Sequence, residues 1–547
     1  MRRYALPLIA GLLVAAAPAW HATPAKAPHA MVVTEQHYAT QVGVDVLKHG
    51  GNAVDAAVAV GYALAVVDPC CGNIGGGGFM LIRMHDGRER FIDFRERAPL
   101  RARPSMYLDK NGNVIPRLST KGYLAVGVPG TVMGLERART EFGTRSRAAL
   151  MAPAIALAKN GYVIGKGDAL VYKSMPGDTI KTGDVRKQPD LAETLSLIAR
   201  DGPNAFYRGP IAHAIVAASN AHGGILSLQD FATYYVDELK PIHCSYRGYY
   251  LISAPPPSSG GTTLCEILNI IAPYPFKQWG WASTQSTHYV VEAERRAYAD
   301  RNTYLGDPSF VKNPVSRLIN PHYAATLRES ILPNRATPSS QVHPGLGAVA
   351  HEHEQTTHFS IVDAAGNAAA VTYTINDAFG AGVIAGNTGF FLNDEMDDFT
   401  SKPGVPNMFG LVQGTRNDIR GGKRPLSSMT PTIVTRNGRL FMVTGSPGGG
   451  RIITIVLSTL QDVLDYGMNV HDAVNAPRVH MQWLPDAIDY EPGALSAQTM
   501  RELRGMGYGF RKVPTWGSAQ AIVIDPKTGM RFGGTDRRRS EGLAAGF

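Results

Sequence analysis

The run Gln355-Thr356-Thr357-His358-Phe359-Ser360-Ile361-Val362-Asp363 constrains this chain more than any other stretch. Upstream, Ala350-His351-Glu352-His353-Glu354 is polar and unpatterned, which suits an exposed loop. Downstream, Thr357, Phe359 and Ile361 alternate with His358, Ser360 and Val362, a β-branched and aromatic strand signature. A threonine where a loop meets a rigid strand is placed to attack its own preceding carbonyl. Breaking the Gln355–Thr356 bond would give Thr356 a free α-amine, with a pKa near ~8, able to act as base for its own hydroxyl. A Thr-Thr pair at a strand start is also simple β propensity, so other stretches have to decide.

Composition narrows the field. The chain has 547 residues, 44% apolar and 18% charged, which is ordinary for a globular protein of two to four domains. The net charge of +9 becomes mildly basic once Arg2, Arg3 and Lys26 leave with a targeting segment. No stretch interleaves Lys and Arg with aromatics, which argues against nucleic-acid binding, and Arg537-Arg538-Arg539 reads as a solvated tail. Arg2 and Arg3, the apolar residues 6–17 and Ala17-Pro18-Ala19 read as a signal peptide. Its apolar run is short for a transmembrane helix, and no other stretch approaches ~20 uninterrupted apolar residues. The mature chain is expected to have no membrane span and to be periplasmic or secreted, with an uncleaved anchor as the alternative. Cys70 and Cys71 are adjacent, which disfavours a mutual disulfide, while Cys244 and Cys265 suit either a bridge or buried thiols.

In chain order, Met31-Val32-Val33-Thr34 is a short strand, and Asn52 caps an apolar helix, Ala53–Val67, expected to be buried on all sides. The glycines of 72–78 lack the Lys-Ser/Thr of a phosphate loop and imply close backbone packing instead. Residues 79–83 and 90–94 read as paired strands, the second ending in Arg95-Glu96. Helical patterns cover 148–159, 191–201 and 287–298, and 324–350 reads as a mobile linker.

Beyond Thr356, Val371, Tyr373 and Ile375 share one face of a strand, leaving Thr374 and Asn376 on the other. Asn393-Asp394-Glu395-Met396-Asp397-Asp398 is an acidic cluster without the spacing of a calcium loop. Residues 401–424 have the length of a lid. Gly445-Ser446-Pro447-Gly448-Gly449 precedes a helix and offers backbone N–H groups to an oxyanion. His353 and His358 miss the spacing of a zinc-binding His-Glu-x-x-His helix.

Taken together, Gly51-Asn52-Ala53-Val54-Asp55-Ala56-Ala57, Gly75 to Gly78, Asp93-Phe94-Arg95-Glu96, Thr356-Thr357-His358, Pro425-Leu426-Ser427-Ser428-Met429 and Gly445-Ser446-Pro447-Gly448-Gly449 resemble the gamma-glutamyltranspeptidases, members of the N-terminal-nucleophile hydrolases. The resemblance runs from about residue 30 to the C-terminus. It implies an α+β fold, a four-layer αββα sandwich formed jointly by two autoprocessed subunits. These would be 30–355 and 356–547, held as a heterodimer after loss of a signal peptide 1–29. It implies no cofactor and no metal. The reaction implied is cleavage of the γ-glutamyl amide of glutathione and related donors through a threonyl ester, with transfer to water or to an amino-acid or peptide acceptor.

Position by position, the resemblance makes Thr356 the nucleophile and Thr374 its hydrogen-bond partner. Arg95, Ser427 and Ser428 would hold the donor α-carboxylate, and Asn376, Glu395 and Asp398 its α-ammonium. The N–H groups of Gly448 and Gly449 would form the oxyanion hole. A donor with both charges implies a cation and anions at separate ends of the pocket. Many bacterial relatives carry a lid tyrosine whose hydroxyl reaches the position of Asn376. Here that position is Phe409, so that bond is expected to be missing. Alternatives are a glutaryl or cephalosporin acylase of the same superfamily, a poly-γ-glutamate depolymerase, and an unprocessed exported amino-acid-binding protein.

Overall fold

The computed structural model describes residues 23–175, 177–343 and 356–547. The first part of the expected signal segment, the 351–354 loop and Gln355 lie outside them. Two seven-stranded antiparallel sheets lie face to face, with helices on the outer side of each. One sheet runs in the order Leu543–Gly546, Met31–Thr34, Thr357–Val362, Ala368–Thr374, Gly77–Arg83, Glu89–Asp93, Asp237–Leu239. The other runs Ala25–Ala27, Arg531–Thr535, Gln520–Ile524, Arg439–Gly445, Thr432–Arg436, Tyr249–Ser253, Ile242–Tyr246. Each sheet mixes strands from before and after Thr356, and the layers are those of an αββα sandwich.

Side-chain alternation builds these layers. In the first sheet Met80, Ile82, Phe359, Ile361 and Val371 pack outward on helices, while Val33, Phe79, Leu81, Phe91 and Ala370 pack inward on the second sheet. The period of two read at 357–362 is this alternation. His358 and Ser360 face inward, and Ser360 donates from Oγ to the Gln520 carbonyl across the interface (3.1 Å). The helix Ala53–Val67 starts from a capping box of Asn52 and Asp55, and all of its residues are buried. Its Ala and Val side chains are small enough to let the helices His37–Lys48 and Arg147–Asn160 approach closely.

Three expectations need correction. Residues 324–343 are not a featureless linker: the helix Pro321–Glu329 is capped by Asn320, and a 3-10 turn follows at Ser339–Gln341. The remainder of that stretch, 344–350, is outside the described residues. The C-terminal arginines are not a solvated tail, because Arg538 pairs with Glu491 and Asp536, and Leu543–Gly546 is an edge strand. Cys70 and Cys71 form a disulfide with each other. Their turn is pinned by Phe379 N–H to the Cys70 carbonyl (3.0 Å) and Ile375 N–H to the Cys71 carbonyl (3.2 Å), which brings both sulfurs to one buried side. Cys244 and Cys265 are also bridged, with Cα atoms 5.8 Å apart.

The two sheets meet most tightly at Gly445, where a Cβ would overlap the His358 imidazole. That ring is hydrogen-bonded through both nitrogens, to Thr372 Oγ1 (2.8 Å) and Ser360 Oγ (3.1 Å), so it cannot swing aside cheaply. Gly445→Ala is expected to lower unfolding free energy by about 1–3 kcal/mol. Chemical denaturation of both proteins checks this, and an unchanged midpoint would contradict the close approach.

Candidate active site

Strand register sets the first pair of groups. Thr357 pairs with Tyr373 across the ladder, so Thr356 falls opposite Thr374. Their hydroxyl oxygens are 3.2 Å apart, and Thr356 is buried. Thr374 Oγ1 also accepts the Asn376 N–H (2.9 Å), which fixes its rotamer. On its other edge Thr374 pairs with Gly77. A Cβ at Gly76 would overlap the Thr374 carbonyl, so the glycine run is what admits this strand end.

Thr356 opens on a small cavity. Thr374, Asn376, Arg95, Glu395, Asp398, Ser427, Ser428, Phe409 and Gly449 all line it. Gly448 does not, and Gly450 takes a place in the wall instead. Gly448 and Gly449 both have positive φ, at 140° and 50°, and turn the chain from the strand Arg439–Gly445 into the helix Ile452–Leu464.

The cation and the anions are not at separate ends. Arg95, fully buried, bonds through Nη1 to Glu395 and through Nη2 to Asp398, and Glu96 lies 3.8 Å away. The chemistry explains the correction: the carboxylate and ammonium of an α-amino acid sit on one carbon, so their partners must adjoin. Burial works against the Arg95 charge, yet Glu395, Asp398 and Glu96 more than offset it and hold the guanidinium above its ordinary value. The acids are pushed up in turn. Burial raises Glu395, Asp398 and Glu96, the last to about 7, with Arg95 opposing the rise in each. Three carboxyl groups thus crowd one guanidinium; Arg301 also favours the charged Asp398 through its field, but its hydrogen bonds go elsewhere, so an ammonium would still find acids to pair with.

Residues 401–424 fold over the cavity. Phe409 is buried against Gly449, where a Cβ would overlap its ring. The loop is tied down by Met408 N–H to Asp397 Oδ2 (2.9 Å), and Asp397 also accepts from Ser119 Oγ (2.6 Å). Asn376 Nδ2 donates to the Asp394 carbonyl (3.1 Å) and approaches Met408 Sδ (3.5 Å). A thioether, not a hydroxyl, is thus the loop group that approaches Asn376.

Comparison with known proteins follows from this geometry. The family model for gamma-glutamyltranspeptidase matches residues 39–546. The chain belongs to the gamma-glutamyltranspeptidase family. It is 52% identical to the glutathione hydrolase proenzyme of Pseudomonas sp. (strain A14), over 96% of this chain and 95% of that one. Among solved structures, the gamma-glutamyltranspeptidase of Helicobacter pylori is 45% identical, with a TM-score of 0.55 over 58% of this chain and 95% of its own. The cephalosporin acylase of Bacillus halodurans is 26% identical, with a TM-score of 0.83 over 97% of this chain and 98% of its own. The fold of this gamma-glutamyltranspeptidase-family chain is thus that of the N-terminal-nucleophile hydrolases.

Two residues, one lining the cavity and one behind it, escaped the sequence reading of this transpeptidase-family chain. Arg301, on the helix Thr284–Tyr304, is fully buried and lines the cavity. Ser259 bonds Arg301 Nε through its Oγ (2.9 Å). A signal existed for the first: Glu292, Arg295, Arg296, Asp300 and Arg301 crowd a helix whose apolar face, Val290, Ala293, Ala297 and Tyr298, is buried in the core, which marks a polar network beside that core.

Next to Thr357, burial pushes His358 down to about 3, so it is neutral in the folded protein. Its unfolded value is near ~6.5, so its contribution is present above that pH and lost as pH falls toward 3. Replacing His358 with Gln is expected to make the loss of unfolding free energy between pH 6.5 and 4.5 shallower by about 2 kcal/mol. Denaturant titrations at both pH values check the slope, and an identical pH dependence would contradict the buried neutral ring.

Proposed function

We propose that this chain is exported and cleaves itself at Gln355–Thr356 into a larger part that keeps the strand Ala25–Ala27, and so begins before residue 30, and a smaller part, 356–547. The two parts stay together as a heterodimer and act as a gamma-glutamyltransferase and glutathione hydrolase. The observation that carries the reading is the Arg95 cluster within reach of the Thr356 hydroxyl's cavity: one guanidinium crowded by three buried acids. A γ-glutamyl donor matches it, presenting its α-carboxylate to Arg95, Ser427 and Ser428 and its α-ammonium to Asn376, Glu395 and Asp398.

In processing, Thr356 Oγ1 attacks the Gln355 carbonyl carbon, the peptide C–N bond breaks, and water releases the ester to leave a free α-amine. In turnover that amine takes the hydroxyl proton as Oγ1 attacks the γ-carbonyl of the donor. N–H groups of the Gly448–Gly449 turn hold the developing oxyanion. The amide C–N bond breaks, the proton passes to the leaving amine, and a γ-glutamyl ester remains on Thr356. Water then gives glutamate, and an acceptor amine gives a new γ-glutamyl amide.

Thr374, bonded to Thr356 Oγ1, orients it in both reactions. A glutaryl donor, as for an acylase, leaves the surplus acids without a cation. A poly-γ-glutamate chain conflicts with the cover formed by Phe409.

Purified protein is expected to give two bands on a denaturing gel, the smaller beginning Thr-Thr-His-Phe, and to release the amine from a γ-glutamyl anilide faster with glycylglycine present. Thr356→Ala is expected to remain one chain without activity. A single band from the unaltered protein would refute the mechanism.

Donor recognition has its own check. Arg95→Lys keeps the charge but loses the planar fork, and is expected to cost about 1.5–3 kcal/mol in kcat/KM, roughly tenfold to a hundredfold. Asp398→Ala is expected to hurt γ-glutamyl donors more than glutaryl donors, which have no ammonium. Equal losses on both donors would remove Asp398 from the assigned role.

A further inference from the structure

Arg301 is 1% exposed, yet its three hydrogen bonds all go to neutral groups. Nε donates to Ser259 Oγ (2.9 Å), Nη1 to Asn302 Oδ1 (2.8 Å) and Nη2 to Ser428 Oγ (2.8 Å). A buried arginine ordinarily sits against a carboxylate, because desolvating an uncompensated guanidinium is costly. Asp398 acts on Arg301 through its field, and burial still pushes Arg301 down to about 10. A charge maintained at that cost on the wall of the cavity calls for a role there.

The hydrogen-bond directions supply one. A guanidinium can only donate, so Ser428 Oγ accepts from Arg301 and its own proton is left to point elsewhere. Ser427 Oγ likewise accepts, from the Met429 N–H (3.0 Å). The Ser427 carbonyl is held by Ser259 twice, from the N–H (2.8 Å) and from Oγ (2.7 Å), and Ser259 Oγ is the group that Arg301 Nε holds. Both hydroxyls thus have a lone pair engaged and a proton available, and both line the cavity. Two O–H donors side by side fit the two oxygens of a carboxylate.

We propose that Arg301 is a positioning residue for the donor's α-carboxylate: it holds Ser428 directly and Ser427 through Ser259, so that both hydroxyls donate into the cavity. The inference rests on the donor-site reading above.

The test uses the processed enzyme and three anilides. The γ-glutamyl anilide carries carboxylate and ammonium, the glutaryl anilide only the carboxylate, and the 4-aminobutyryl anilide only the ammonium. Arg301→Lys is expected to lower kcat/KM about tenfold or more on the two carboxylate donors, mainly through KM. The preference for γ-glutamyl over 4-aminobutyryl donor should fall by the same factor. Ser259→Ala, which keeps Arg301 in place, should move the preference in the same direction by less. Combining Arg301→Lys with Ser428→Ala should cost less than the sum of the two single changes, since the Ser428 contact is lost in both while the path to Ser427 is lost only with Arg301.

An equal fall on all three donors, or no change on any, overturns the proposal, as does additivity with Ser428→Ala. If Ser428→Ala leaves the preference for carboxylate donors intact, the donor-site reading fails first. If Ser428→Ala changes that preference and Arg301→Lys does not, only the role of Arg301 fails. A two-band gel for each variant shows that processing has occurred.

Discussion

One buried guanidinium joins the parts of this molecule that matter. Arg95 leaves the strand Glu89–Asp93, before Thr356, and bonds Glu395 and Asp398, after it. Such an ion pair adds little net stability, because desolvation offsets its attraction, but removing one partner strands the others and costs several kcal/mol. Its value is geometric. Arg95 also donates from Nε to the Pro425 carbonyl (3.4 Å), which locates the segment carrying Ser427 and Ser428. The Tyr234 hydroxyl holds the Arg95 carbonyl (3.0 Å), and the Arg95 N–H rests on Asp93 (2.8 Å). The cation is therefore fixed before any ligand arrives, and the acids around it are left in surplus. A zwitterionic α-amino acid group brings an ammonium to those acids along with its carboxylate, whereas a plain carboxylate only adds another anion.

Where local rules dominate, the sequence was legible. Alternation at 357–362 and 368–375 gave both strands and placed Thr374 on the face away from Val371 and Tyr373. The Asn52 cap and the Ala/Val run gave a helix buried on every side. The glycines at 75–78 were legible as close packing because no other residue type lets a neighbouring backbone come so near. The cavity residues beyond Thr356 and Thr374 came from family resemblance, since a lone Arg or Asp carries no local mark of what it will face.

What could not be read depends on contacts far apart in the chain. Arg301 and Ser428 are separated by 127 positions, and nothing in either neighbourhood announces the other. Arg537-Arg538-Arg539 looks like any basic tail until Glu491 and Asp536 are folded beside it. The Cys70–Cys71 bridge was misjudged because adjacency normally turns successive side chains apart; here two hydrogen bonds from Ile375 and Phe379 impose the turn. The helix Pro321–Glu329 was hidden by the Pro and Ser residues after it, although Asn320 before Pro321 is an ordinary helix start.

The covering loop is held without any hydroxyl from residue 409. With phenylalanine at 409, no hydroxyl is available for Asn376, and the nearest loop group is the Met408 thioether, a weak acceptor. The loop is instead held from both ends by polar contacts away from the donor. Asp397 takes the Met408 N–H, and Gln482 Nε2 donates to the Phe409 and Gly410 carbonyls (3.4 and 3.3 Å). Between those anchors Phe409 and Leu411 supply apolar cover on the cavity and on the Gly449–Gly450 turn. Closure by apolar contact weakens on cooling. It also lays Phe409 directly against Gly449, where the chain turns into the helix Ile452–Leu464. The loop is thus held by hydrogen bonds at Met408, Phe409 and Gly410 and by apolar contact at Phe409 and Leu411.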